Sequence, residues 1–192
     1  EIVWWHEMPH ANIYGDNDRL PSGNLLGCHW TAEAYDAPKP PFYESRMLEV
    51  VRDTHELAWE ATVYGWYPCD GSDPCDKTEA HGFAQPAGWA QYAVERFYDA
   101  PLVYETTCGL HAVSFKTVNN FKQNDLANGT YAVRVNGDER KSGAFSFKPH
   151  WRPQDVTVDG LGTLAANDVV ILRVANAWGD ETSTTLDCAP GA

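Results

Sequence analysis

No stretch of the 192-residue chain approaches the roughly eighteen uninterrupted apolar residues that a membrane-crossing helix requires, so no membrane span is expected. Basic residues are scarce: 14 Lys and Arg stand against 27 Asp and Glu, for a formal net charge of −13. No cationic cluster is available to neutralise phosphate, and no nucleic acid partner is expected. The chain has no C-x-x-C redox pair, no paired-cysteine zinc knuckle and no G-x-S-x-G elbow, which removes three common routes to catalysis. Its first residue is Glu1 and not histidine, so the amine-plus-imidazole copper chelate of oxidative polysaccharide-cleaving enzymes is missing. Internal repeats and low-complexity tracts are absent as well.

What remains is the composition of a folded extracellular domain. Hydrophobic residues make up 43% of the chain, with eight Trp and nine Tyr, enough apolar surface to offset the entropy of folding. The length suits one large all-β unit, so residues 1–192 are read as a single secreted domain. The opening at Glu1 reads as a mature N-terminus. The five cysteines are Cys28, Cys69, Cys75, Cys108 and Cys188, and CDGSDPC places Cys69 and Cys75 across a short Gly/Pro turn that a local disulfide can close. A disulfide implies an oxidising compartment. The sequon Asn128-Gly129-Thr130 marks Asn128 as a glycosylation acceptor and agrees with export. An odd number of cysteines leaves at least one outside any intramolecular pair, either buried or bonded to a neighbouring molecule.

Period-two patterning dominates. Leu57, Trp59, Ala61 and Val63 alternate with Ala58, Glu60, Thr62 and Tyr64, and with the run at 45–51 they predict a hairpin around Arg52-Asp53-Thr54-His55. A second hairpin is predicted where Tyr131, Val133 and Val135 alternate, Asn136-Gly137 supplies positive φ, and Phe145 and Phe147 return on one face. Residues 102–118 predict one or two further strands broken near Gly109, and the apolar run at 169–178 predicts a buried strand. Only residues 86–100 look helical, with Pro86 at the start, Trp89, Ala93 and Phe97 at helical spacing and Pro101 as a stop. The first 45 residues read as loop-rich. Many short strands without βαβ alternation predict an all-β sandwich or jelly roll with one short helix in a loop. The segment GTYAVRV resembles a strand of many extracellular immunoglobulin-like domains, which implies an immunoglobulin-like sandwich.

Candidate sites follow from residue chemistry. Asp16 and Asp18 in GDND, with Asp70, Asp73 and Asp76 in CDGSDPCD, place hard oxygen ligands in loops, as Ca²⁺ prefers, although neither string has EF-hand spacing. His6-Glu7-Met8-Pro9-His10 matches H-E-x-x-H, but Pro9 opposes the helix that would aim both imidazoles at zinc. The acid pair Glu56 and Glu60 carries no glycosidase argument, because that chemistry is set by a separation in space. No catalytic set is identified. Trp4-Trp5, Trp30, Trp66-Tyr67 and Trp151 are candidates for an aromatic platform that takes glycan. The apolar opening Ile2, Val3, Trp4 and Trp5 is a candidate strand for self-association, adding to a sheet edge of another copy. The expected function is an extracellular structural subunit that self-assembles into a filament, sheath or surface layer with bound Ca²⁺. The alternative is a secreted carbohydrate-binding module or polysaccharide-acting enzyme.

Overall fold

The structure, a computed structural model, describes residues 4–7, 11–31, 44–64 and 93–188. The chain divides into two compact units, Glu1–Glu95 and Arg96–Ala192. Among the described residues every regular element is a strand, and no helix is long and apolar enough to cross a membrane.

The first unit holds one antiparallel meander of β1 (Ala11–Arg19), β2 (Leu25–Thr31), β3 (Glu44–Val50) and β4 (Leu57–Tyr64) in that spatial order. Gly23, with φ of 90°, turns the chain between β1 and β2. The register of that pair shifts between Ala11 and Gly15, and a Cβ on Gly15 would lie 2.7 Å from the Cys28 carbonyl oxygen, so only glycine permits the approach. Six residues, 51–56, form the turn between β3 and β4. His55 closes it in the left-handed region (φ 63°), its N–H donating to the Val51 carbonyl at 2.8 Å. Cross-strand register puts Leu26 and Cys28 on one face and His29, Leu48 and Val50 on the other, and all five are buried. The middle strands are therefore covered on both faces.

The second unit is a sandwich of seven strands. One sheet has the order β5 (Leu102–Cys108), β6 (Ala112–Val118), β9 (Gln154–Asp159). The other runs β11 (Glu181–Leu186), β10 (Val170–Asn176), β7 (Ala127–Val135), β8 (Asp138–Phe147), and all pairs are antiparallel. The chain passes between sheets at 119–126, 148–153 and 160–169, the connectivity of an immunoglobulin-like sandwich. Alternate residues face inward as the pleat dictates: Val113 and Phe115, Val133 and Val135, Val156 and Val158, and Val170, Leu172 and Val174 meet in one core with Phe147 and Leu186. Each such side chain contributes about 1.5–3 kcal/mol by leaving water. Gly129 faces the same core because the rings of Phe145 and Phe147 occupy the space of a Cβ, which would come within 2.6 Å of the first and 2.7 Å of the second.

Strand direction sorts the connections to two ends. At one end Cys108, closing β5, is disulfide-bonded to Cys188, just beyond β11. There Asn136 (φ 53°) and Gly137 (φ 92°) make the expected hairpin turn, and the Asn136 side chain donates to Asp168 at 2.8 Å and accepts from the Val169 N–H at 2.9 Å. The opposite end gathers residues 97–101, 119–126, 148–153 and 177–180.

Several expectations need correction. The helix expected over 86–100 is not helical at 93–100: Phe97 forms a β-bridge with Phe121, and the Tyr98 N–H donates to the Asn120 carbonyl at 2.8 Å, so tertiary pairing takes the backbone groups a helix would use. Residues 86–92 lie outside the described residues. GDND is not a loop; Asp16 and Asp18 belong to β1, and β2 also falls in the region read as loop-rich. Strands β9 and β11 fall where the sequence reading places none.

Candidate functional site

The end of the sandwich opposite the disulfide carries the most developed site. It begins with Asn176, the last residue of β10, which is buried. Its Oδ1 accepts from the Trp178 N–H at 2.9 Å and the Asp180 N–H at 3.0 Å, fixing the 177–180 turn, while its Nδ2 donates to Asn120 Oδ1 at 2.9 Å and Asp180 Oδ2 at 3.1 Å. Asn120 donates in turn to Asp180 Oδ2 at 2.9 Å, and Asn119 Nδ2 donates to Gln123 Oε1 at 2.7 Å. Buried amides with satisfied partners make a rigid polar plug, since breaking one bond strands the others away from water. Two loops are thereby locked to one another.

On that plug rests an aromatic pair. The Trp178 indole stacks on the Phe121 ring at 4.1 Å between centroids and 8° between planes, and Trp178 remains 69% exposed. The turn Asn176-Ala177-Trp178-Gly179-Asp180 is closed by the Asn176 side chain and by Gly179 at φ 91°. Beside it opens a cleft of about 370 Å³, whose walls include Asn119, Phe121, Asn124, Asp125, Leu126 and Trp178. An open indole face presents a π surface to apolar C–H groups, and the neighbouring amides and carboxylate supply donors and acceptors in fixed positions. At the same end His150 (φ 57°) and Trp151 (φ 58°) are both left-handed, a strained pair held by the His150 N–H bond to the Gln123 carbonyl at 2.9 Å.

The residues singled out from sequence fall elsewhere. Trp151 is buried edge-on against Tyr98, with 5.6 Å between ring centroids, so it belongs to the interior and offers no platform. Trp66 and Tyr67 lie outside the described residues, as do Ile2, Val3, Cys69, Asp70, Asp73, Cys75 and Asp76. Trp4 turns onto its own unit: its Nε1 donates to the Arg52 carbonyl at 2.9 Å and its ring stacks on His55 at 5.4 Å. Trp5 is 65% exposed. Residues 4–7 are in no strand or helix, so the described part of H-E-x-x-H is not helical. Asp16 is half-buried opposite Cys28 and Asp18 is buried opposite Leu26; among the described residues no group of three or more His, Cys, Asp or Glu converges to hold a metal. Asn128 is exposed on β7. Cys28 is buried and outside any disulfide; burial first, and the nearby Asp16 charge second, hold its thiol pKa above the usual value.

The sequence reading placed Trp178 at the end of the buried strand expected at 169–178; the strand stops at Asn176, and Trp178 lies exposed in the turn that follows. A tryptophan inside an Asn-x-x-Gly-Asp turn, between two strand-patterned segments, is the signal that finds it. No family model matches the chain, and no curated protein or solved structure matches it either.

Proposed function

We propose that the chain is a secreted carbohydrate-binding module that takes sugar at the Trp178 end of its sandwich. The observation that carries this reading is the exposed Trp178 indole, braced from behind by Phe121 and bordered by amides that a buried network holds in place. A pyranose ring offers one apolar C–H face and a rim of hydroxyls, which matches an open indole face beside polar side chains. The two loops involved join the strands at the same end of an immunoglobulin-like sandwich that antibody variable domains use for recognition, a likeness of position and not of ligand. The Cys108–Cys188 disulfide is compatible with the oxidising compartment that the reading requires.

The test is a titration of the whole chain with a glycan panel, followed by intrinsic tryptophan fluorescence, compared between wild type and Trp178→Ala, and by ligand-observed NMR. Trp178→Ala is expected to weaken sugar binding at least about tenfold, the equivalent of about 1.4 kcal/mol, while the melting temperature holds and Trp5→Ala binds as wild type. Wild-type affinity in Trp178→Ala, or retention of no glycan at all, ends the proposal.

A second reading, self-assembly of copies into an extracellular filament, sheath or layer, is favoured by the exposed Leu57 and Trp59 on β4 and the exposed Trp5 in the first unit. Trp4 argues for a different role of the leading segment than strand donation, because it is bonded within its own unit. Sedimentation of native material decides: a single-copy species across all concentrations removes this reading and leaves the first intact.

A further inference from the structure

We infer that the Trp178 site accepts one neutral pyranose at the end of a glycan chain, rather than a stretch of polymer or an acidic sugar. This rests on the carbohydrate reading above and narrows it.

Three observations converge. Phe121 covers one face of the indole at 4.1 Å and nearly parallel, so the pair presents a single stacking face to solvent and not two successive ones. A polymer lying along a surface gains affinity by stacking residue after residue on separated rings; the stacked pair offers one such ring position, and the exposed Phe97, bridged to Phe121, does not line the cleft. The cleft beside it, about 370 Å³, is near the lower limit of ligand pockets and matches a compact group more than an extended chain. Its walls combine Leu126, Ala127 and Ala177 with Asn124 and Asp125, a mixture that suits a ring with one apolar face and equatorial hydroxyls.

Charge decides the class of ring. Among the described lining residues Asp125 is the one charged group, and no Lys, Arg or His joins it. A uronic or sialic acid would bring its carboxylate next to that of Asp125 with no cation among the lining residues to offset the repulsion, on a protein whose formal net charge is already −13. A neutral hexose meets an acceptor instead, and a carboxylate accepting from sugar hydroxyls makes stronger bonds than a neutral amide would.

The experiment compares methyl β-D-glucopyranoside, methyl β-D-galactopyranoside and methyl α-D-mannopyranoside with the matching tetrasaccharides and with methyl β-D-glucuronide, by ligand-observed NMR on the whole chain. The preferred monosaccharide is expected to bind within about threefold of its tetrasaccharide. The glucuronide is expected to bind at least about tenfold more weakly than the glucoside, and Asp125→Asn to narrow that ratio. An affinity that climbs tenfold or more from monosaccharide to tetrasaccharide overturns the inference while the carbohydrate reading survives. So does glucuronide binding equal to that of glucoside. Failure of every sugar to bind, with Trp178→Ala indistinguishable from wild type, overturns both together.

Discussion

Two sets of buried polar side chains, one in each unit, differ in how they are satisfied. In the 96–192 unit Asn119, Asn120 and Asn176 are buried, and each is hydrogen-bonded into one network that ends on Gln123 and Asp180. In the 1–95 unit His29 is only 2% exposed, and neither of its ring nitrogens has a hydrogen-bond partner. A satisfied network stiffens the loops it joins, whereas an unsatisfied buried group costs about 1–3 kcal/mol and leaves its strand dependent on conditions. Among the described cysteines, Cys108 and Cys188 of the sandwich are bonded to each other, while Cys28 of the meander is buried outside any disulfide. The amide network ties the Trp178 turn into the sandwich, whereas the His29 ring in the meander has no such tie.

Reduction of the disulfide is the strongest way to break this contrast. The bond closes a loop of 80 residues, and replacing both cysteines by serine is expected to cost the sandwich about 4 kcal/mol by freeing its unfolded chain. Hydrogen exchange resolves where the loss falls: protection is expected to drop across β5 to β11 while β1 to β4 keep theirs. An equal drop in both units, or none, removes the claim that the bond acts on the sandwich alone. A smaller effect follows from Asn176→Ala, which strands the Trp178 and Asp180 N–H groups together with Asn120 Oδ1. The expected cost is about 2 kcal/mol, with sugar affinity falling alongside it because the indole loses its anchor. Loss of stability at unchanged affinity would separate the network from the site.

Where alternation was strict, the fold was legible. Tyr131, Val133 and Val135, the Asn136-Gly137 turn and Phe145 with Phe147 announce β7 and β8 because each second residue must face the core. β1 was hidden for a physical reason. It carries Gly15, Asp16, Asn17 and Asp18, residue types depleted in strands, and its bulge at Gly15 answers to the Cys28 carbonyl across the pair, which no local pattern encodes. β9 and β11 are six residues each and offer too few apolar positions to fix a period. Phe97 kept helical spacing with Ala93, yet pairing with Phe121 overrode it. The candidate site was the least legible part. Trp178 was read as part of a strand, its platform needs Phe121 from another loop, and the amides beneath it come from the β6–β7 connection and the end of β10, which only the folded sandwich brings together.

The smallest expected effect concerns acid, and it tests the meander directly. Burial chiefly, and the Arg46 guanidinium second, hold the His29 pKa below its usual value, with Glu60 opposing them. Arg46 is the cross-strand neighbour of His29, and Glu60 lies 3.6 Å from the Arg46 Nε on the same face of the sheet. Because the folded state binds the proton less readily than the unfolded chain, stability is full above the ordinary histidine range near about 6.5 and declines as pH falls below it. Protection of β2 and β3 is therefore expected to weaken between about pH 7 and about pH 5, a window in which most carboxylates stay ionised and the sandwich holds. In His29→Leu the same strands are expected to keep their protection across that window, since the variant replaces an unsatisfied polar ring with an apolar side chain. Acid sensitivity identical in the variant would place its origin outside His29, and the difference between the units would then owe nothing to this histidine.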